Sequence, residues 1–461
     1  GLALALLLVL IRDPFAVMDA GFWLSFGAVA VILFTMSGRL NQTVNLWGRW
    51  GKVQWAAGLG LMPLLLAQFA QASLVSPLAN LVAVPWVSWV VVPLTLVGTA
   101  LSEVSADVAG LLLQAAHEAW SWLWLLLAWL AERDFALWHQ AAAATWVTLA
   151  AVVGALWLLA PRGWPARWLG LVWLLPLGLY QGPPVAAGEA EISLLDVGQG
   201  LAVVVRTRHH ALVYDAGPRF GPDFDTGEAV VVPFMRHQGI EELDVLVVSH
   251  GDMDHVGGAD SLLAAYTPAR LSSSVPERWP DQGARACHVG QAWQWDGVDF
   301  QILNPPNNES LGSENDLSCV LKVSTGGASA LLSGDIERDA EWKLLQSRGD
   351  DLAAEVLVAP HHGSLTSSTA AFVRAVDPHY VLFPVGYRNR FGFPKPAVVD
   401  RYRHTGATLA EVARTGTITT RLGSDGVVAV PRYYRRRVSR YWHDRSRRWA
   451  SSGFLTKEDE H

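Results

Sequence analysis

The densest chemistry in the sequence lies in Ser249-His250-Gly251-Asp252-Met253-Asp254-His255-Val256-Gly257-Gly258. His250, Asp252, Asp254 and His255 fall within six positions, and imidazole and carboxylate are the side chains that ligate divalent cations. If the segment stays extended, His250, Asp252 and Asp254 share one side and His255 faces the other. One loop would then offer ligands to two neighbouring metal ions. Gly257 and Gly258 let the chain turn tightly behind it. An ordinary polar turn that caps a helix is the plain alternative, but so dense a set of ligand types favours metal.

Such a loop needs a rigid base. Asp244-Val245-Leu246-Val247-Val248-Ser249 is mostly apolar and β-branched, the pattern of a buried strand. Further candidates stand after other apolar runs: Asp335 after Leu331-Leu332-Ser333-Gly334, His361 and His362 after Val356-Leu357-Val358-Ala359-Pro360, and Asp215 after Tyr214. Ligands in layered α/β folds gather at strand ends. Strands are predicted at 191–195, 201–206, 211–214, 298–303, 317–323, 328–332, 354–359 and 379–384. Helices are predicted over 228–238, stopped by Gly239, and near 337–348, 367–376 and 396–404. The alternation predicts an α/β sandwich of layered sheets. Cys287 and Cys319, the only cysteines, are expected to pack as small apolar residues rather than to pair or bind metal.

Charge divides the chain, whereas the net charge of −7 decides little. Residues 1–185 hold 14 charged side chains and the remaining 276 residues hold 63, so the first part reads as membrane and the second as a soluble domain. Seven apolar segments can be drawn, at about 1–11, 21–37, 54–70, 77–101, 107–131, 141–160 and 166–180. Most approach the ~20 residues that span a bilayer. Trp120, Trp122, Trp124 and Trp129 suit interfacial anchoring. Arg39, Arg49 and Lys52 in the loop 38–53, and Arg162 and Arg167 beside 161–165, fall on one side if all seven segments cross. That side would be cytoplasmic, which places the chain after residue 180 outside. Pro77, Pro85 and Pro93, with Asn80 among them, should break one apolar stretch, as in helices that line a cavity. His117 and Glu118 either serve a function at membrane depth or snorkel to an interface. The sequence opens at Gly1 inside an apolar run with no leader shape, so it is expected to lack an N-terminal part. Gln181 to Gly188 has linker composition, giving a membrane domain over 1–185, a soluble domain over 186–430 and a basic tail over 431–461.

Two membrane-part motifs carry a resemblance. Asp13-Pro14-Phe15-Ala16-Val17-Met18-Asp19-Ala20-Gly21-Phe22-Trp23-Leu24-Ser25-Phe26 and Val75-Ser76-Pro77-Leu78-Ala79-Asn80-Leu81-Val82-Ala83-Val84-Pro85 resemble the competence membrane domain of the ComEC family, proteins that internalise DNA. The ordered set in the soluble part, opened by Leu195-Asp196-Val197-Gly198-Gln199-Gly200, resembles the metallo-β-lactamase superfamily in its ComEC version. The resemblance implies a polytopic helical membrane domain followed by a four-layer αββα sandwich with a two-metal centre. By motif, His250 and Asp252 would hold one ion and Asp254 and His255 the other. Asp335 would bridge them, His361 or His362 would complete a site, and Asp215 would brace the loop. The chain departs from the wider pattern at three places. Asp252 stands where His is usual, shifting preference from zinc toward manganese or magnesium. Asn315 or Asp316 takes the place of an intermediate His, and Phe393 that of the His in a late Gly-His-Pro.

The resemblance and the residues together imply a metal-dependent nuclease-like activity. Two divalent ions, manganese or zinc with magnesium also admitted, about 3.5–4 Å apart, can activate water and neutralise a phosphodiester oxygen. Asp254 would orient the water or else serve only as a ligand, and whichever of His361 and His362 is not a ligand would protonate the leaving oxygen. The tail carries eight arginines between 432 and 448 with interleaved aromatics, which suits DNA phosphates and bases or else anionic membrane lipid. The leading expectation is an inner-membrane, multi-pass channel for natural transformation that passes single-stranded DNA, with other DNA-uptake proteins as partners. The alternatives are a membrane-anchored metallohydrolase of another phosphodiester, and a channel whose soluble domain only binds DNA.

Overall fold

The computed structural model describes residues 1–37, 46–133, 135–161, 163–306, 312–438 and 440. The chain divides into two units, Gly1–Gly182 with Arg236–Gly239, and Pro183–Met235 with Ile240–His461.

The first unit is helical. Helices Leu2–Arg12, Ala20–Met36, Leu46–Phe69, Ser76–Trp86, Val92–Leu101, Ala106–Ala131, Thr145–Leu159 and Leu169–Leu179 overlie the predicted apolar segments. Among the described residues one helix, Ser76–Leu101, is by length and composition able to cross a membrane, with a mean hydropathy of 2.0. Four other helices, including Ala20–Met36 and Thr145–Leu159, are apolar but shorter. The expected break at Pro77, Pro85 and Pro93 does not occur. Pro77 sits in the first turn, where its missing N–H costs nothing. Between the other two prolines the helix widens into a π-turn over Val87–Val91, in which Val92 N–H reaches back to Val87 O; that wider turn accommodates Pro93 without ending the helix. Arg49 and Lys52 lie inside helix Leu46–Phe69 rather than in a loop, no breaker separating them from the apolar residues that follow. Arg39 and Arg162 fall outside the described residues. Trp120, Trp122, Trp124 and Trp129 are exposed, as are His117 and Glu118.

The second unit is built on two sheets. One runs in the order Arg285–Ala286, Arg270–Ser273, Val245–Val248, Ala211–Tyr214, Val203–Arg206, Ala190–Leu194, Ile418–Leu422, Arg432–Tyr433. The other runs Ala292–Trp295, Val298–Asn304, Val320–Ser324, Ser329–Leu332, Val356–Val358, Tyr380–Phe383, Thr408–Glu411. The period of two along each strand separates three cores. Val245, Val247, Ala330, Leu332, Val356 and Val358 meet between the sheets. Leu246 and Val248 face outward with Val256, Ala259 and Leu262, whereas Leu331 and Leu357 face outward with Leu344, Phe372 and Val398. Strands buried on both faces must be apolar throughout, which is why Val245–Val248 reads as an unbroken apolar run. The layers are therefore helix, sheet, sheet, helix.

Cys287 and Cys319 are joined in a disulfide, contrary to the expectation that they stay unpaired. Both are buried between the sheets, where the fold brings their Cα atoms to 6.0 Å across 32 positions of sequence, within bridging range. The linkage ties the end of strand Arg285–Ala286 to the opening of strand Val320–Ser324 in the opposite sheet. The start of the basic tail is also part of the fold: Arg432–Tyr433 pairs antiparallel with Ile418–Thr419, and Arg432 and Arg435 reach Glu191 and Asp196. The tail's arginines at 445, 447 and 448 lie outside the described residues.

Candidate metal centre

Strand Val245–Val248 presents Ser249 and His250 at its C-terminal end, and Asp252 then starts a helical turn, Met253–Val256, that carries Asp254 and His255. The loop is thus not extended as predicted. The turn brings Asp254 and His255 inward and leaves the Asp252 side chain 52% exposed. Gly257 and Gly258 have ordinary negative φ values of −56° and −93°. Their size is what matters: a Cβ on Gly257 would lie 2.2 Å from Arg219 N, and one on Gly258 2.3 Å from Gly227 N.

His255 is the hub. Its Nδ1 lies 2.8 Å from Asp215 Oδ2, and its Nε2 lies 3.1 Å from Asp335 Oδ1 and 3.3 Å from His362 Nε2. Asp215, fully buried at a positive φ of 58°, also accepts from Ser249 N and Ser249 Oγ, both at 2.6 Å. Because the Ser249 hydroxyl proton goes to Asp215, its oxygen is free to accept from His250 Nδ1 at 3.0 Å. His250 Nε2 is completely buried and makes no hydrogen bond, its nearest acidic atom being Asp252 Oδ2 at 3.5 Å. A buried polar atom left unpaired is costly unless something else satisfies it.

The second histidine pair divides by role. His362 is buried, its Nδ1 donates to Pro384 O at 2.7 Å, and its Nε2 faces Asp254 Oδ2 at 3.2 Å and Asp335 Oδ2 at 3.4 Å. His361 is 20% exposed, with Nδ1 held by Glu337 and Thr366 at 3.0 Å each and Nε2 3.9 Å from Asp335 Oδ2. Both backbones lie in the left-handed region, φ 48° and 53°, which splays the neighbouring rings. Asp316 does not take the place of a ligand. Its Oδ1 accepts from the N–H groups of Glu337 and Ala340 and its Oδ2 from Ser313 Oγ, so it caps the helix that follows Asp335. Asn315 opens the same short 3-10 turn, Asn315–Leu317.

Among the described residues two groups of side chains could hold a metal ion: His250, His255 and Asp335, and Asp254, His255 and His362, with ligand atoms within 4.8 Å of one another in each. Charge is arranged to suit a cation. Burial opposes ionisation of Asp335, but the charges of His255 and His362 outweigh it and hold the carboxyl well below the usual carboxylate range. Burial likewise disfavours an Asp254 carboxylate, yet its hydrogen bond to His362 and the charge of His255 bring it down to about 2. Burial would discharge His362, but Asp335 and the bonds to Asp254 and Asp335 push it up to about 9. The carboxylates that favour protons on these imidazoles would equally favour a divalent ion in their place. Tethered Nδ1 atoms, converging Nε2 atoms, an unpaired His250 Nε2 and two facing carboxylates all fit such an ion.

Residues 1–165 match the Competence protein family, and residues 195–386 match the metallo-beta-lactamase superfamily. The chain joins a competence domain to a metallo-beta-lactamase domain. Competence proteins of the ComA/ComEC type are among its homologues. It is 38% identical to Competence protein ComA of Neisseria gonorrhoeae over 427 residues, 92% of this chain and 59% of that protein. It is 27% identical to ComE operon protein 3 of Bacillus subtilis over 449 residues, 91% of this chain and 58% of that protein. The chain thus spans somewhat more than half the length of these relatives. Among solved structures it is similar to the metallo-beta-lactamase fold protein YhfI of Bacillus subtilis, at 10% identity and a TM-score of 0.33, over 48% of this chain and 96% of that one.

Within the metallo-beta-lactamase domain the structure brings His250, Asp254, His255, Asp335 and His362 together and leaves Asp252 and His361 at the rim. The supporting residues carry no metal-site signature in sequence. Ser249 relays between Asp215 and His250, and Ser318 Oγ accepts from Asp335 N at 3.1 Å. Adjacency to His250 is the one sequence cue for Ser249; Ser318 offers none.

Proposed function

We propose that this chain takes part in DNA uptake for transformation, its first unit a polytopic inner-membrane bundle that passes a single strand and its metallo-beta-lactamase domain a metal-dependent nuclease on the outer face. The observation that carries the reading is the junction of buried His250, His255, Asp335 and His362 with half-buried Asp254 in a chain that also carries a competence domain. Exposed apolar side chains on the first unit, Trp89 at 82% among them, favour lipid contact. The Cys287–Cys319 disulfide favours an oxidising compartment for the second. DNA and membrane lipid are the partners this reading names, with other uptake proteins beside them.

His255 has one free ring nitrogen and can serve one ion, whereas Asp335 has two oxygens and can serve both. Asp254, His255 and His362 would therefore hold one ion and His250 with Asp252 the other, with Asp335 offering an oxygen to each. Manganese or zinc fits this mixed imidazole–carboxylate set, magnesium less well because it prefers oxygen. Bound there, such ions would activate a water molecule and neutralise a phosphodiester oxygen. The chain's own residues do the rest. Asp254, 32% exposed, is placed to orient the attacking water, and His361, held at Nδ1 by Glu337, presents Nε2 to protonate the leaving oxygen. His362 keeps its neighbours in position through Pro384 O.

A binding-only reading has one specific support. Phe393 stands where a histidine was expected, and its ring lies parallel to His362 at 6.4 Å and edge-on to His361 at 5.9 Å, adding apolar cover instead of a proton donor. The full chain in detergent micelles with manganese decides between the two. The nuclease reading expects cleavage of single-stranded DNA, abolished by Asp254→Ala with His255→Ala. Cleavage unchanged in that double variant would refute it, and DNA binding without cleavage would leave the binding-only reading standing.

A further inference from the structure

The segment Tyr387–Lys395 alternates exposed aromatics with cations beside the metal centre. Phe391 stacks on Phe393 at 5.5 Å and 15°, and Phe393 in turn stacks on His362 at 6.4 Å and 16°. The result is a column of near-parallel rings that runs from solvent, where Phe391 is 43% exposed, to the centre. Arg390 lies 4.8 Å over Phe391, Arg388 lies 5.2 Å over the exposed Tyr387, and Lys395 lies 5.4 Å over Phe393. Among the described residues neither Arg388 nor Arg390 has an acidic side chain within ion-pair distance. The loop is not floppy: Asn389 accepts from Phe393 N and donates to the carbonyls of Gly386 and Phe393.

A second ledge lies on the other side of the Gly198–Gln199 turn. Phe220 and Phe224 stack at 5.9 Å and 28°, each more than half exposed. A Cβ on Gly198 would lie 3.6 Å from Phe220 Cζ, and one on Gly386 would lie 2.6 Å from Gln199 N, so the turn packs against Phe220 and against the residue that directly precedes the first ledge. Leu201 N, just beyond it, donates to Asp254 O at 3.0 Å. Exposed stacked aromatics are costly in water, and unpaired arginines over them seek anions.

We propose that Phe391 and Phe220 head two base-stacking ledges for single-stranded nucleic acid, with Arg388, Arg390 and Lys395 holding its phosphates, so that a strand crossing the Gly198–Gln199 turn passes over Asp254. The proposal rests on the nucleic-acid reading above and adds to it the residues that would hold the strand by its unpaired base faces, which a duplex does not offer. The test is fluorescence anisotropy of the full chain in detergent micelles with EDTA. The probes are a labelled oligothymidylate and an abasic deoxyribose-phosphate oligomer of the same length. Phe391→Leu and Phe220→Leu should each weaken oligothymidylate binding about tenfold, the scale of one stacked base, and leave the abasic oligomer unaffected. Phe391→Trp should retain binding, which separates stacking from folding. Arg388→Gln with Arg390→Gln should weaken both oligomers. Tight and equal binding of both oligomers by the unaltered chain would overturn the ledges alone, and so would an unaffected Phe391→Leu variant. Binding of neither oligomer would overturn the nucleic-acid reading with them.

Discussion

Asp215 Oδ2 sits 2.8 Å from His255 Nδ1, both side chains fully buried, and the same carboxylate accepts from Ser249. The contact holds the proton on Nδ1 and turns Nε2 toward Asp335. Such partners of a ligating histidine typically contribute about 10–100-fold to metal affinity. Asp215→Asn should therefore weaken manganese binding by about that factor, measured by titration calorimetry, without altering the number of ions bound. Unchanged affinity would show that the tautomer is set elsewhere.

The two adjacent histidines should separate in kinetics. His362→Ala removes an Nε2 within 3.4 Å of both Asp254 and Asp335, so metal content and cleavage should fall together. His361→Ala should keep the metal content and lower kcat by about 10²–10⁴-fold, the usual range for a lost proton donor. Metal analysis beside single-turnover rates distinguishes the two. Loss of metal in the His361 variant would reverse the assignment.

A third expectation concerns pH and lies away from the centre. Burial raises the Glu341 carboxyl from 4.5 to about 7, against the N–H bonds from Ser368 and Thr369 and the charge of Arg401. Between those values the folded state keeps a proton that the unfolded state has lost. Stability should therefore fall as pH rises from 4.5 through 7, by an amount on the order of 3 kcal/mol at most. Melting temperatures across that range should show the decline, and Glu341→Gln should flatten it. An equal slope in the variant would assign the dependence to other groups.

The Cys287–Cys319 linkage closes 32 positions of chain between the two sheets. Chain entropy puts its loss at about 3–4 kcal/mol. Reductant, or Cys287→Ala with Cys319→Ala, should lower the melting temperature of the second unit by several degrees. No change on reduction would mean that the sulfurs merely pack.

Much of the second unit was legible because its strands are buried on both faces and read as apolar runs: Val245–Val248, Ser329–Leu332 and Tyr380–Phe383 fall within predicted spans. Strands Ile418–Leu422 and Thr408–Glu411 were not, since Thr419 and Arg421 in one and Thr408 and Glu411 in the other look outward or make polar contacts, leaving no unbroken run. At the site, His250, Asp254, His255 and Asp335 were legible as residue types at strand ends. Their geometry was not. Extended spacing put Asp252 beside His250 and Asp254, whereas one helical turn from Met253 to Val256 changes which side chains converge. The choice between His361 and His362 depends on Pro384 O and Glu337, which lie 22 residues after His362 and 24 before His361 and give no local cue. Pairing of Cys287 with Cys319 needs two sheets to face each other, which no spacing reveals.

In the proposed assignment Asp335 would be shared by two ions held by the flanking histidines and aspartates. Manganese titration of the full chain, followed by electron paramagnetic resonance, separates a shared carboxylate from independent sites. The expected result is two manganese ions per chain with a spin-coupled spectrum, reduced to an uncoupled signal by Asp335→Asn and lost with His255→Ala. A single uncoupled ion in the unaltered chain, or coupling that survives Asp335→Asn, would contradict it.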